Sequence, residues 1–473
     1  MRRTTHIKVV AVLAAAAMAM LAGCSSSGDD SGATTAPPST SEADGPEDPD
    51  QEEAPPAETG EAVAVTFWQR QFTDQEDAWY KDQVDAFNAS QSEVVVDYQM
   101  VPEDAWDQKM TAAQAAGTAP DVYTRAYNQI PTLVGQQAIK DLSALIPQES
   151  WDDLEPNILD MVSVEGAHYA YPVLVEPSMV LFYRTDLFEE AGLDPTKPPT
   201  TFDELIDYGS QLKDILPDGT FALGLAEVAS EMGWTTWGLQ NGLAGHLPLS
   251  ADYSTAEAED PAYAPLFDLY RDLYSNGILP KQALAPYVDS TPFGEGKLAM
   301  MACGSWASGE IINNFPDLVE NTAVAKMPLA ENDPTSSSAT LGGWSVVVDG
   351  KTTKDQAAAD FINYLLAGDP AALIDYFKLT QFSKFPARQS VNEALNADPA
   401  AASANPFRQK IAEEIVPTSI PEAIYPYDIA LAFTEEVEAA MQGKDTASAQ
   451  ADAQQKITDL IAQLGIAGTG PGA

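Results

Sequence analysis

Apolar and polar positions follow strand and helix patterns in turn along the first part of the chain. Residues 63–68 alternate between apolar and polar side chains, and 94–98 is rich in β-branched residues, so each predicts a strand. Helical spacing of apolar residues over 75–88 and 103–116 predicts two helices. Residues 121–123 predict a short third strand. Strands that alternate with helices predict an α/β fold with a largely parallel sheet.

The middle and end of the chain predict further strands and several amphipathic helices. Residues 168–175 form an extended run, and 180–183 form another apolar strand. Thr201 and Glu204 have the spacing of a capping box, which predicts that a helix begins here. Further helices are predicted over residues 263–276, 354–367, 428–442 and 446–464.

The N-terminus has the pattern of a secretory signal. Three basic residues precede an apolar run over residues 9–22, and small residues then lead into Cys24. A membrane-spanning helix needs roughly 18 apolar residues or more, so this run is short for one. An ordinary signal peptide with an incidental cysteine is the other alternative. The segment Leu21–Cys24 resembles a bacterial lipobox, which implies removal of residues 1–23 and a lipid on the Cys24 thiol.

The segment after the signal predicts a tether. Residues 25–60 contain no aromatic residue, no lysine and no arginine, and are rich in Ser, Gly, Pro, Ala and acidic residues. Such a composition buries too little apolar area to offset the entropy of ordering. We therefore predict a disordered acidic tether over 24–61, with the folded body beginning at about residue 62.

Composition narrows the classes of partner. Among 473 residues, 71 are acidic and 24 are Lys or Arg, giving a formal net charge of −47. Such a surface repels nucleic acid and anionic membranes, so neither is predicted as a direct partner. Only two cysteines occur, and lipidation of Cys24 would leave Cys303 without a disulfide partner. Three histidines and no Cys/His zinc spacing predict no metal site and no cofactor.

Three groups of segments carry a resemblance to a known family. They are residues 171–176 with 181–188 and 199–205, residues 293–301 running into 304–306, and residues 341–344 with 357–362. In this order they resemble the family 1 extracellular solute-binding proteins of ABC importers, the group that contains maltose-binding protein. The resemblance covers about residues 62–465.

The resemblance implies two α/β lobes joined by hinge crossovers, with a ligand cleft between them. Lobe 1 would comprise residues 62–174 and about 343–383. Lobe 2 would comprise about 177–340 and, with the C-terminal helices, about 384–465. Residues 466–473 would form a flexible tail. Crossovers are expected near residues 175, 342 and 384, where they would permit hinge closure.

Sugars offer apolar ring faces and many hydroxyls, so their sites combine aromatic rings with carboxylates and amides. Trp306 ends an apolar strand, and the resemblance implies that it stacks on a sugar; the alternative is a core role. Glu176 interrupts an apolar run, and the resemblance implies a bond to a sugar hydroxyl; the alternative is a salt-bridged hinge residue. Gly343 and Trp344 lie at a predicted crossover, where they would either contact the ligand or serve only in packing.

Other candidates come from helices and loop positions. Trp234 and Trp237 would share a helical face, one in the cleft and the other in the core, with Asn241 one turn further on. Tyr425 or Tyr427 could supply an aromatic ring from the C-terminal region. Loops after parallel strands bind ligands in open α/β sheets. This rule adds five candidates: Gln69, Gln71, Arg125, Tyr127 and Asn128.

Together these features and the resemblance favour a lipid-anchored protein on the outer side of the cell membrane. It would capture a carbohydrate, with an oligosaccharide favoured, for an ABC permease, and the resemblance implies a monomer. ATP hydrolysis would belong to a separate subunit, because no Gly-x-x-x-x-Gly-Lys-Ser/Thr loop occurs. No enzymatic activity is expected. The alternatives are a secreted glycosidase, which needs two suitably spaced carboxylates, and a binding protein for a polyamine, a peptide or a metal chelate.

Overall fold

The computed structural model describes residues 61–470. The predicted signal, the lipidation site Cys24 and almost all of the predicted tether lie outside these residues. The strands of the described part are β1 (Val63–Arg70), β2 (Val94–Val101), β3 (Val122–Ala126), β4 (Ser163–Val164), β5 (Ala167–His168), β6 (Tyr171–Pro177), β7 (Val180–Arg184), β8 (Phe221–Gly224), β9 (Leu298–Cys303), β10 (Thr322–Ala325), β11 (Thr340–Val348) and β12 (Ile420–Pro421).

Helices separate most of these strands. They are α1 (Asp74–Ser90), α2 (Glu103–Ala116), α3 (Ile130–Gly135), α4 (Gln148–Asp152), α5 (Pro156–Met161), α6 (Thr185–Glu190), α7 (Phe202–Ile215), α8 (Ala229–Thr235), α9 (Trp237–Ala244), α10 (Ala264–Ser275), α11 (Thr291–Gly294), α12 (Trp306–Asn314), α13 (Asp355–Ile362), α14 (Ala371–Leu379), α15 (Gln389–Ala397), α16 (Pro399–Ala404), α17 (Arg408–Lys410), α18 (Tyr427–Met441) and α19 (Thr446–Leu464). Short 3₁₀ turns cover Tyr127–Gln129, Pro261–Tyr263, Pro316–Asn321 and Val416–Thr418, and π-helical turns cover Asn363–Ala367 and Ile411–Ile415.

The strands form two principal sheets. The larger sheet has the order β12-β11-β3-β1-β2, with β6 also paired to β11, and the smaller sheet has the order β10-β7-β9-β8. Strand β1 is parallel to β2 and β3, whereas β11 is antiparallel to β3 and β6. The smaller sheet is antiparallel except for the β8–β9 pair. Parallel pairing in the larger sheet is therefore limited to β1 with β2 and β3 and to the short pair β11–β12, because β11 runs antiparallel to β3.

The chain passes between the sheets at several points. Strand β6 belongs to the larger sheet and β7, only three residues later, to the smaller one. The return from β10 to β11 is a second connection, and a third segment pairs Phe385 with Val175 of β6. Helix α18 packs against α8, α10 and α19. These contacts show which sheet each segment joins, while the lobe boundaries given above stay predictions.

Helix boundaries follow the capping chemistry of the sequence. Helix α2 ends at Gly117, whose φ of 70° is a left-handed conformation that glycine adopts without steric cost. The Thr201 side chain accepts a hydrogen bond from the Glu204 amide at the start of α7. The Glu204 carboxylate instead accepts from the Thr200 amide, at 2.7 Å, so the capping box is incomplete.

Two predicted helices differ from the structure. The region of Trp234 and Trp237 is not one helix, because Thr236 (φ −89°, ψ −2°) separates α8 from α9. The predicted helix 354–367 keeps regular α geometry only to Ile362 and continues as a π-helical turn.

Membrane-crossing helices, metal clusters and Cys303 were also considered in the sequence. Within 61–470, no helix combines the length and the apolar character that crossing a bilayer requires. No group of three or more His, Cys, Asp or Glu side chains in that range could hold a metal ion. Cys303 is buried at the end of β9, where its thiol donates to the Tyr287 carbonyl at 3.2 Å.

Candidate functional site

A cavity of about 820 Å³ lies where the segments that connect the two sheets meet. Small-molecule sites usually enclose roughly 300 to 1,000 Å³, so this volume is that of a ligand site. From elements around the larger sheet, its wall includes Arg70, Phe72, Trp106, Asn128 and Trp344. From elements around the smaller sheet, it includes Glu231, Trp234, Tyr287, Trp306 and Glu310.

Trp344 and Phe72 form the first aromatic wall. Their ring centroids are 5.2 Å apart in an edge-on arrangement, and the Arg70 guanidinium lies 4.8 Å from the Trp344 ring. Arg70 is also ion-paired with Glu103. The Trp344 ring is thus held by a packed aromatic neighbour and a paired cation, which fixes its orientation at the cavity.

Gly343 places Trp344 at this wall. Its φ is 153°, and a Cβ atom at this position would lie 2.2 Å from the carbonyl oxygen of Leu174. The glycine therefore allows β11 to approach β6 closely. The sequence suggested that this glycine could let the backbone approach a ligand; in the structure its close approach is to Leu174 of the neighbouring strand.

Trp234, Tyr287 and Trp306 form the second aromatic wall. The rings of Trp234 and Trp306 are 6.4 Å apart and inclined by 33°, and Tyr287 meets Trp234 edge-on at 5.5 Å. Trp306 donates from Nε1 to the Val288 carbonyl at 3.1 Å. The Trp306 ring lies over Gly304, and a Cβ atom added to Gly304 would lie 1.8 Å from that ring. This explains why glycine precedes Trp306 by two residues.

Trp237 and Tyr427 also border the cavity, whereas Tyr425 does not. Trp237 is 2% exposed and packs against Tyr425, with 6.0 Å between the ring centroids, and its indole interacts with the Tyr425 hydroxyl. Tyr427 donates its hydroxyl to the Ser230 carbonyl. The structure brings both Trp234 and Trp237 to the cavity wall, whereas the sequence predicted one of them in the cleft and the other in the core.

Glu176 and Glu422 lie next to each other at the base of the cavity. Glu176 is paired with Gly342 in the β6–β11 ladder, and a Cβ atom on Gly342 would lie 2.2 Å from Oε1 of Glu422. Among the described residues, Oε2 of each carboxyl is buried without a hydrogen-bond partner, and so is Oδ1 of Asn128. Burial raises the pKa of Glu176 to about 6, and burial together with the Glu176 charge raises the pKa of Glu422 to about 7.

Lys384 extends toward the same region from the segment after α14. Its Nζ donates to Oε1 of Glu76 at 2.5 Å, and Tyr376 donates its hydroxyl to the same oxygen. Burial opposes the charge on Lys384, but Glu76 and Glu176 hold its pKa above the ordinary value. Burial likewise opposes the charge on Glu76, and Lys384 nevertheless keeps its pKa low. This pair is therefore ionised in the interior.

Seven of the predicted residues border the cavity: Asn128, Glu176, Trp234, Trp237, Trp306, Gly343 and Trp344. Five others do not, and three of these are held by hydrogen bonds within the fold. The Gln69 side chain accepts from the Tyr98 hydroxyl, and the Tyr127 hydroxyl donates to the Leu174 carbonyl at 2.7 Å. The backbone amide of Gln71 donates to the Val101 carbonyl at 2.8 Å.

The other two are Arg125 and Asn241. Arg125 is buried with its guanidinium against the rings of Trp106 and Tyr123. Asn241 lies within α9, where its carbonyl accepts from the Gly245 amide. Neither side chain belongs to the cavity wall in the structure.

The error at residues 69–71 has a simple cause. The sequence predicted that β1 ends at Trp68 and that a loop follows, but β1 continues through Arg70. Gln69 therefore shares the buried face of Val65 and Phe67, and Arg70 turns toward the cavity instead.

Several wall residues carry no sequence signal of their own. Tyr287, Glu310, Lys384 and Glu422 come from segments far apart in the chain, and Trp106 lies on the apolar face of α2 like a core residue. Only the tertiary fold brings them together. Phe72 could have been found, because it adjoins the candidates after β1. Arg70 lies between Gln69 and Gln71, at the same predicted loop position.

Comparisons with known proteins agree with this architecture. A family model described as bacterial extracellular solute-binding protein matches residues 82–406. A binding protein of Brucella abortus is 23% identical over 310 residues, which are 64% of this chain and 72% of the relative. The mannitol-binding protein of Pseudomonas aeruginosa is 25% identical over 292 residues, 59% of this chain and 63% of the relative.

A solved structure shows the same fold. The cyclic alpha-maltosyl-1,6-maltose binding protein from Arthrobacter globiformis is 26% identical and superposes with a TM-score of 0.67, covering 85% of this chain and 100% of the neighbour. The predicted two-lobe α/β fold is confirmed by this similarity. Because the family model spans more than half of the sequence, the chain belongs to the bacterial extracellular solute-binding proteins.

Proposed function

We propose that this protein captures a carbohydrate in the cavity and delivers it to the permease of an ABC importer. The observation that carries the proposal is the pairing of two aromatic walls with buried polar atoms that have no partner within residues 61–470. Trp344 belongs to one wall and Trp306 to the other. The unpartnered atoms belong to Trp106, Asn128, Glu176 and Glu422.

This combination suits the two surfaces of a sugar. The apolar faces of pyranose rings stack on aromatic rings, while hydroxyls both donate and accept hydrogen bonds at the ring edge. A buried polar atom without a partner costs about 1 to 3 kcal/mol, so a ligand that satisfies several such atoms gains correspondingly in affinity. A cavity of about 820 Å³ has room for more than one sugar ring, which favours an oligosaccharide.

The similar proteins support the carbohydrate class. The Arthrobacter globiformis neighbour binds a cyclic maltosyl-maltose, and the Pseudomonas aeruginosa relative binds mannitol, according to their names. These ligands differ in size, so they support a polyhydroxylated solute without naming one for this chain.

We infer a transport cycle without covalent chemistry. Ligand binding would draw the two walls together by rotation about the segments that connect the sheets, and the permease would recognise the closed form. A separate subunit would hydrolyse ATP. Processing at the predicted lipobox would tether the monomeric protein through Cys24 to the outer face of the membrane, with the acidic segment as spacer.

A thermal-shift screen tests this function. The full chain, purified in mild detergent, is heated with neutral mono- and oligosaccharides and, as non-sugar solutes, with spermidine and a tripeptide. A ligand at 100 times its dissociation constant adds about 2.7 kcal/mol to the free energy of unfolding. We expect stabilisation by at least one sugar, recovered unchanged by chromatography. Stabilisation by spermidine or the tripeptide alone would overturn the proposal, and a cleaved sugar would indicate the glycosidase alternative.

A further inference from the structure

The charges around the cavity are strongly unbalanced. The acidic side chains in its wall are Asp74, Glu76, Glu103, Asp107, Glu176, Glu231, Asp289, Glu310 and Glu422. The basic side chains are Arg70 and Lys384. A neutral ligand does not require such an excess of carboxyl groups.

Both basic groups already have carboxylate partners. Arg70 is ion-paired with Glu103, and Lys384 with Glu76. Within residues 61–470, the other acidic side chains of the wall form no ion pair. The wall therefore keeps a negative potential, which low-dielectric surroundings strengthen.

Among these carboxyls, Glu176 and Glu422 are the least satisfied. Glu310 accepts from the Ser290 hydroxyl at 2.6 Å, Glu231 from the Tyr287 amide at 3.0 Å, and Asp289 from the Thr291 amide at 2.8 Å. By contrast, Glu176 and Glu422 lie side by side at Gly342, and each keeps a buried oxygen without a donor. Lys384 partly offsets the Glu176 charge, and the Asn128 backbone amide acts on Glu422. Even so, two neighbouring carboxylates that each keep one oxygen without a donor are unfavourable unless a proton or a further cation is added.

A buried indole of the wall gives a second indication that a ligand completes it. Trp106 is 2% exposed and borders the cavity, and its Nε1 donor has no partner within residues 61–470. Trp237 is equally buried, but its indole interacts with the Tyr425 hydroxyl. The wall thus favours a molecule with a hydroxyl oxygen for Trp106 and a strong donor for the carboxyl pair.

We propose that the cavity selects a saccharide that carries a protonated amine, with the ammonium group placed between Glu176 and Glu422. The proposal rests on the carbohydrate-binding function proposed above. An ammonium group offers three N–H donors and a positive charge, so it satisfies both orphaned oxygens and offsets their mutual repulsion. A phosphorylated or carboxylated sugar would meet repulsion from the same wall.

Matched ligands test this selectivity. Chitobiose, cellobiose and N,N′-diacetylchitobiose differ only in bearing an amine, a hydroxyl or an acetamide at C2, and glucosamine, glucose and N-acetylglucosamine form a monosaccharide series. Their affinities for the full chain are measured by titration calorimetry at pH 7.5. In at least one series we expect the amine to bind about tenfold more tightly or better than both neutral members.

The outcomes separate the two proposals. If a neutral sugar of these series binds as tightly as its amine, the amine inference is overturned and the carbohydrate function stands. If no member of either series binds while a sugar of the neutral screen does, the amine inference again fails alone. If no sugar in any of these experiments binds, both proposals fail.

Isosteric variants locate the ammonium site. Glu176→Gln and Glu422→Gln keep the side-chain shape and remove the charge, so each is expected to weaken amine binding about tenfold more than it weakens the binding of a neutral sugar. Glu149→Gln, an exposed position on α4 outside the cavity, serves as control and should change neither affinity. Unchanged amine binding in both cavity variants, with ligand-free melting confirming that they fold, would overturn the assignment.

Discussion

Glu76 and Lys384 form a buried ion pair, with 2.5 Å between Oε1 and Nζ, that joins the first turn of α1 to the segment after α14. Each side chain is at most 6% exposed. The Glu76 carboxylate also accepts hydrogen bonds from the hydroxyls of Tyr376 and of Thr73, the N-cap residue of α1. This network anchors the helix beside the cavity to a connecting segment.

Lys384→Met is expected to destabilise the protein strongly. The substitution leaves the Glu76 charge buried without its partner, which costs about 3 to 5 kcal/mol in comparable cases. Urea unfolding would measure the loss. The exposed pair Lys81–Asp85 offers a control, because solvent screens its charges and Lys81→Met should change the unfolding free energy far less. Equal losses in the two variants would show that the buried pair has no special role.

Glu422→Gln should stabilise the ligand-free protein at high pH. Burial and the Glu176 charge raise the pKa of Glu422 from 4.5 to about 7, so the native state holds this proton more tightly than the unfolded chain. The unfolding free energy contributed by this group therefore falls as pH rises from 4.5 to about 7. The variant should be about 1 to 3 kcal/mol more stable than wild type at pH 8, and nearly equal at pH 4. A stability difference that is independent of pH would contradict this assignment.

Gly343→Ala should disrupt the pairing of β6 with β11. The added Cβ atom would lie 2.2 Å from the Leu174 oxygen, at a φ of 153° that other residues rarely adopt. Gly219→Ala provides a matched control, since Gly219 has a φ of 88° and no atom within 4 Å of the added Cβ. We expect the control to lose about 1 to 2 kcal/mol from backbone strain alone, and Gly343→Ala to lose clearly more. Thermal melting of the two variants makes the comparison.

Trp306→Ala should weaken ligand binding by about tenfold or more, because it removes one ring of the second aromatic wall. Trp151 is 1% exposed, packs on Tyr171, and lies outside the cavity. Trp151→Phe should therefore lower the melting temperature without changing the dissociation constant. A similar loss of affinity in both variants would indicate a general effect of destabilisation.

Local sequence patterns predicted much of the fold, because helix caps and buried strands depend on residues that are close together in the sequence. The helix over 103–116 has the predicted bounds, and its end at Gly117 follows from the left-handed conformation there. Apolar strands such as β7 and β9 were visible as apolar runs, because burial on both faces leaves little room for polar residues. Gln69 was misplaced because its burial depends on Tyr98, a partner 29 residues away.

The cavity was only partly predictable for the same reason. Glu176 stood out as a carboxylate in an apolar run, and Trp306 stood out through the family resemblance of the segment that contains it. Glu422 acquires its role only beside Glu176 and Gly342, and Lys384 only beside Glu76. These relationships span large separations in sequence, so no spacing rule reveals them.

Titration calorimetry of the full chain with the sugar that stabilises it most tests the central claim directly. The account predicts saturable binding of one sugar per chain, recovery of the sugar unchanged, and weaker binding in Trp306→Ala but not in Trp151→Phe. Absence of binding by every sugar, or binding that Trp306→Ala leaves unchanged, would contradict carbohydrate capture in this cavity.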